Sequence, residues 1–326
     1  MNAPLPTISH EVEETILDAV DKFLERDVRQ HVLALEHADE YPHDIVEGMK
    51  ELGLFGAVIP EEYGGLGLPA STYAKIVERV SAVWMSLSGI FNSHLIMAAA
   101  VVRFGTEEQK RKWLPKFASG EIRGGLALTE PNCGTDLQAI RTVAKRDGDE
   151  YVINGTKTWI SNGIYGSAFA LLVKTDPAAQ PRHKGTSLFI ADKREGFTVS
   201  RKLEKLGYKG IDSAELVFED YRVPADQLIS GEEGRGLPHA LGGLELGRIN
   251  IAARGVGVAR SALELAVKYS QERETFGEPI HNHQAIQIKL ADMATRLEAS
   301  KHLMNAAAAA YDLSLIHISE PTRHAS

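Results

Sequence analysis

The chain has 326 residues, 44% hydrophobic and 25% charged, enough for a sizeable core and two or three domains. A net charge of −8 argues against nucleic acid or an anionic membrane surface as the main partner. Local backbone donors can still hold a phosphorylated cofactor. The single cysteine, Cys133, excludes an intrachain disulfide framework and a cysteine-based metal site, and no metal is expected. It suits a reducing compartment, taken here as the cytoplasm.

The first ten residues, MNAPLPTISH, show no basic region leading into an apolar core, so they do not read as a signal peptide. From residue 9 to 118 the pattern is helical. Ser9 precedes Val12, Ile16, Val20, Phe23 and Leu24, which recur three or four apart. Two apolar helices are expected near 71–83 and 87–102, and the apolar run at 95–102 falls far short of a membrane span. Thr106 and Gln109 form a capping box before KRKWLPKFASGE, and Gly120 ends that unit. An all-helical domain over 1–124 follows.

The texture changes near Gly124. Between residues 141 and 219 lie the β-like runs YVIN, FALLVK, SLFIAD, FTVSRK and AELVFED. They are separated by Asp147-Gly148, Asn154-Gly155, Asn162-Gly163 and the loop DPAAQPRHKG. Turn chemistry between short runs indicates an antiparallel sheet or barrel over 125–235, and no helical run suggests a doubly wound fold.

After Gly236 the helical period returns. One long helix is expected over 241–273. A second starts near Gln284, with Ile286, Leu290, Met293, Leu297 and Met304 on one face. The class is α+β: helices, then a β-barrel, then a helix bundle over 236–312 represented by its first two helices. The tail LSLIHISEPTRHAS has neither helical period nor cap and resembles translated adapter sequence, so 313–326 is expected to be foreign to the fold.

Three blocks carry chemistry. In LALTEPNCGTD, Thr129, Gly134 and Thr135 offer hydroxyls and approachable backbone N–H groups suited to a polar ring and a phosphate. An ordinary Pro-Gly turn is the plain alternative. In GTKTWISNG, Trp159 can lie against a flavin face and Ser161 can bond its polar edge, or Trp159 can anchor the barrel core. In QERETFG, followed by His283-Gln284, Arg273 can neutralise a pyrophosphate and Phe276 can support a flavin or adenine. A salt bridge to a helical Glu is the plain reading of Arg273. Gly255-Val-Gly257 lacks the third glycine of a dinucleotide fingerprint and lies inside a helix, which makes it a packing feature.

Taken in this order, together with GYKGIDSAELVFEDYRVPADQLI, the blocks resemble the acyl-CoA dehydrogenase family from about Ser9 to Asp312. The resemblance implies a homotetramer or homodimer with FAD lying between subunits. Leu126, Leu128, Thr129, Gly134 and Thr135 would hold the isoalloxazine, and Trp159, Ile160 and Ser161 would pack on it. Arg273, Thr275, Phe276, His283 and Gln284 would reach the FAD of the adjacent subunit. Glu245 and Arg248 match positions that bond the CoA portion of an acyl-CoA substrate, and Thr135 can touch both flavin and thioester. A helix-surface salt bridge is the alternative for Glu245 and Arg248. Arg182, His183 and Lys184 form a basic loop near which a CoA phosphate, or only solvent, would lie. Phe91 and Met97 would line part of the acyl pocket.

The implied reaction is α,β-dehydrogenation of the thioester to the trans-2-enoyl-CoA, within fatty acid β-oxidation, with electrons passed to an electron-transfer flavoprotein. The base is a glutamate, carried in most members on a late bundle segment beyond this chain. In a minority it stands one residue before the Arg matched by Arg248, where this chain has Gly247. The chain is therefore expected to contain no catalytic base, to hold FAD weakly and to be inactive. An acyl-CoA oxidase or related flavin monooxygenase shares the same layout, and a non-catalytic binding module is the alternative from another class.

Overall fold

The computed structural model describes residues 8–313. The stretch expected to be foreign lies outside the described residues except for Leu313, and so does most of the N-terminal decapeptide. The chain starts with α1 (His10–Phe23), α2 (Val32–Ala38), α3 (His43–Glu51), α4 (Ala70–Phe104) and α5 (Glu107–Ala118). The strands β1 (Gly124–Ala127), β2 (Val143–Asp147), β3 (Glu150–Ser161), β4 (Ala168–Lys174), β5 (Thr186–Asp192), β6 (Phe197–Lys202) and β7 (Ser213–Pro224) follow. Then come α6 (Gly236–Glu272), the short pair β8 (Glu274–Thr275) and β9 (Glu278–Pro279), and α7 (Gln284–Asp312).

Local chemistry sets the helix ends. The Ser9 hydroxyl accepts from the Val12 N–H at 3.2 Å, and Thr106 and Gln109 complete a reciprocal capping box. Gly120 takes φ +72° beyond α5. The two apolar helices expected before residue 104 are one helical run broken only at Trp84, which is extended (φ −152°, ψ 106°). Joined in this way, α4 is long and apolar enough to cross a membrane, contrary to the count made on residues 95–102. Some 83% of its most apolar window is buried inside the protein, as befits a core helix.

Contacts divide the chain into two compact units. Among the described residues one comprises 8–32, Leu68–Ser88 and 248–313; the other comprises Leu33–Gly67 and Gly89–Gly247. In the first unit, the buried Glu78 carboxylate lies 3.3 Å from both Arg260 and Lys301 and ties α4 to α6 and α7. Asn250 donates to the Tyr73 hydroxyl at 2.9 Å. A Cβ on Gly257 would sit 2.2 Å from the Glu78 carbonyl oxygen, so this glycine lets α6 approach α4 closely. Asp312, at the end of α7, accepts from the N–H groups of Ala70 and Ser71 at 2.6 and 3.0 Å and caps α4.

The second unit is built on a seven-stranded sheet of path β1-β4-β2-β3-β7-β6, with β5 on the other edge of β4. Tyr151, Ile153 and Ile160 of β3 meet Leu216, Phe218 and Val223 of β7 and Phe169, Leu171 and Phe189 in one apolar cluster. β4 is buried on both faces, which explains its unbroken apolar run. The expectation of an antiparallel barrel needs correction on two points. β1 pairs with β4 in parallel, because β4 returns beside β1 only after the β2–β3 hairpin has intervened. A Cβ on Gly124 would lie 1.5 Å from the Ala168 carbonyl oxygen, so glycine is required there. Among the described residues no ladder joins β5 to β6, and the sheet is a half-barrel.

Candidate functional site

β1 runs directly into the first block. Glu130 and Cys133 exchange backbone hydrogen bonds at 2.9 and 3.1 Å and fold Pro131-Asn132 into a tight turn. Beyond it Gly134 and Thr135 are exposed, and a Cβ on Gly134 would meet no atom within 4 Å. Leu126 and Thr129 are half-buried, and Leu128 is buried. The loop therefore presents backbone amides and a hydroxyl to open space.

The second block leaves the regular ladder. Pairing of β3 with β7 shifts register between Lys157 and Ile160, and within that bulge Trp159 has φ +59° and is 56% exposed. A core-anchoring role for Trp159 is thereby excluded. Bulky side chains rarely take this conformation, and such strain gathers where a ligand is clamped. The Ile160 side chain belongs to the apolar cluster, so only its backbone is available outward. Ser161 is half-buried and pairs with Ser213. The Thr158 N–H donates to the Thr129 carbonyl at 2.9 Å and joins the first two blocks.

Beneath both blocks lies an ion pair to which the motif reading gave no role. Lys157 Nζ donates to Glu130 Oε1 at 2.8 Å and to the Leu128 carbonyl at 3.1 Å, with side-chain exposures of 0% for Lys157 and 3% for Glu130. Glu130 also accepts from the N–H groups of Arg141 and Thr142 at 2.6 and 3.0 Å. Burial acts to raise the Glu130 pKa, but Lys157 and these donors outweigh it and hold the carboxyl below its ordinary value. Burial pushes Lys157 down to about 8 against the pull of Glu130. In sequence, a lysine between two threonines of a strand gives no sign of facing inward.

The third block lies in the other unit. β8 and β9 form a hairpin whose central residues, Phe276 and Gly277, have φ +54° and +81°, the pattern of a type I′ turn. Asn, Asp or Gly usually fills the first of these positions; here Phe276 stands 99% exposed. Thr275 Oγ1 lies 2.8 Å from His283 Nε2, and Glu278 lies 3.6 Å from the other ring nitrogen. Arg273 and Gln284 are exposed. Arg273, Thr275, Phe276, His283 and Gln284 thus gather around one hairpin, and the Thr158–Thr129 hydrogen bond brings the first two blocks together.

The substrate candidates are placed as follows. Glu245 is ion-paired with Arg103, which also donates to the Gly242 carbonyl at 2.8 Å. Arg248 is exposed on the same helix. A Cβ on Gly247 would lie 2.5 Å from Ile96 Cδ1, and one on Gly243 2.7 Å from the Ile96 carbonyl oxygen, so these glycines serve close helix packing. Arg182 and Lys184 are exposed, whereas Phe91 and Met97 are fully buried. His10, Glu13 and Glu14 come close enough to hold a cation, but the Glu13 carboxylate is already bonded to Thr72 and Lys75.

Within the sheet-bearing unit, the exposed Trp159 at positive φ, hydroxyls at Thr129, Thr135 and Ser161, and open space over Gly134 fit a planar, phosphate-bearing cofactor of the flavin kind. With the helix–half-barrel–helix order, they are compatible with a flavoprotein oxidoreductase, the class to which comparison with known proteins assigns the chain. Family models described as acyl-CoA dehydrogenase N-terminal, middle and C-terminal domains match residues 10–121, 125–221 and 234–320. An acyl-CoA dehydrogenase of Bacillus subtilis (strain 168) is 39% identical over 92% of this chain and 79% of its own length. The butyryl-CoA dehydrogenase structure from Megasphaera elsdenii superposes with a TM-score of 0.89 at 32% identity, covering 96% of this chain and 82% of that one. A glutaryl-CoA dehydrogenase from Mycobacterium smegmatis in complex with FADH2 gives 0.85 at 29% identity, covering 94% and 77%. The chain belongs to the acyl-CoA dehydrogenase family, whose enzymes are FAD-dependent.

Proposed function

We propose that the chain carries out α,β-dehydrogenation of an acyl-CoA thioester to the trans-2-enoyl-CoA, in the cytoplasm, with electrons leaving to an electron-transfer flavoprotein. The observation that carries this reading is the strained display of Trp159 and Phe276, each at positive φ and each inside a motif of the family. FAD, when bound, supplies the hydride acceptor. The chain's own residues bind and orient. The Thr135 hydroxyl and the Gly134 amide meet the polar edge of the ring, with Leu126, Leu128 and Thr129 behind them. Trp159, Ile160 and Ser161 cover one side. Arg273, Thr275, Phe276, His283 and Gln284 reach the FAD of a neighbouring copy, and Glu245 and Arg248 face the CoA portion.

The base that takes the α-proton is assigned to none of the carboxylates at these blocks. Glu130 is committed to Lys157, Glu245 to Arg103, and Gly247 has no side chain. Assembly is part of cofactor binding on this reading. Its support is the apolar groove of about 770 Å³ between α6 and α7, lined by Ile251, Val256, Leu297 and Leu303 among others.

FAD titration at several protein concentrations tests the proposal. Occupancy should rise in step with oligomer measured by sedimentation, and anaerobic butyryl-CoA should bleach the bound flavin. Affinity independent of protein concentration would overturn the shared site, and a bound flavin that stays oxidised would overturn the dehydrogenation. Reoxidation by air rather than by an electron-transfer flavoprotein would favour the oxidase.

A further inference from the structure

The Lys157–Glu130 pair lies under the face that carries the cofactor candidates, and its bonds converge from three segments of chain. Lys157 belongs to the β3 bulge and reaches the Leu128 carbonyl; Glu130 opens the turn to Cys133; Arg141 and Thr142 lead into β2. Thr158, next to Lys157, donates to Thr129, next to Glu130, so the two blocks are stapled at adjacent positions. An apolar pair of similar volume would fill the same space and avoid the desolvation of two charges, often with equal or better stability. It could not accept from two backbone N–H groups or donate to a carbonyl, and those directional bonds fix where turn and bulge stand relative to each other.

We infer that Lys157 and Glu130 are positioning residues of the cofactor site, holding the turn before Gly134 and Thr135 and the bulge that displays Trp159 in one fixed register. The inference rests on the flavin reading of that face. Neither side chain is exposed to a ligand. The pair acts by making the site's geometry pre-formed, so that binding does not have to order it.

The test is the double substitution Glu130→Gln with Lys157→Met, which removes both charges together and leaves no unpaired ion. Three quantities are read on the full chain: the unfolding midpoint, FAD affinity by flavin fluorescence, and hydrogen exchange at the amides of Arg141, Thr142 and Thr158. The midpoint is expected to stay near the parent value. FAD affinity should fall on the order of tenfold or more, by analogy with metal sites that lose the outer partners of their ligands, and exchange at the three amides should accelerate. Gln227→Leu serves as a control, because Gln227 is a buried side chain of the same unit bonded to Asp192 and Arg194 instead. It should lower the midpoint without changing affinity or those three amides. Unchanged affinity and exchange in a folded double variant would overturn the inference, as would losses that merely track stability as in the control. If the parent chain takes up no FAD, the flavin reading fails by itself, and the exchange rates still decide whether the pair fixes the register.

Discussion

Trp159 combines two properties that core packing does not explain, exposure and a left-handed backbone. Replacing it with glycine removes the steric conflict at φ +59°, a strain on the order of 1–3 kcal/mol. Trp159→Gly is therefore expected to unfold at the same or higher denaturant concentration while losing most of its FAD affinity; a clear loss of stability would show that the ring packs against the protein itself. Glu130 supports a prediction in pH. Its folded-state pKa is depressed, so its contribution is fully present above the unfolded value of about 4.3 and disappears as pH falls through the lower folded value. Lys157 stays protonated in both states over that range and adds no slope. Urea unfolding between neutral pH and pH 3 should show this acid loss in the parent, and Glu130→Gln should start less stable and lose less. Trp159 and Thr135 could be singled out as candidates because the motifs that contain them are contiguous in the sequence. The role of Glu130 and Lys157 was not legible, since inward orientation depends on a bulge that no alternation pattern reports.

At the scale of elements, the cap on α4 comes from a residue more than two hundred positions away. Asp312→Ala leaves the N–H groups of Ala70 and Ser71 without that partner and should cost about 1 kcal/mol, with Asp312→Asn costing less. Chemical denaturation of the three chains checks it, and equal stability would mean that water replaces the carboxylate. Caps of this kind cannot be read from a sequence, whereas the Ser9 cap and the Thr106–Gln109 box can, because donor and acceptor are three residues apart. The sheet divides in the same way. Its runs and turns were readable, but the parallel pairing of β1 with β4 depends on which strand arrives at a vacant edge. The single extended residue at Trp84 likewise decides whether α4 is one element or two.

At the scale of the whole molecule, the long helices α6 and α7 carry apolar side chains on outward faces, Ile251, Leu265, Ile288 and Leu303 among them. Leu303→Lys on α7 should leave far-UV circular dichroism unchanged and shift sedimentation towards the monomer; an unaltered distribution would remove this face from the assembly surface.

The division into two units also orders events in time. The unit containing the sheet is complete once Gly247 has been made, but the other draws on residues 8–32, on Leu68–Ser88 and on residues 248–313. On a ribosome α1 and the first half of α4 must therefore wait with their apolar faces uncovered, and the start of α4 uncapped, until Asp312 emerges. They are the segments a chaperone would find exposed during synthesis, long after the sheet has closed over its own core.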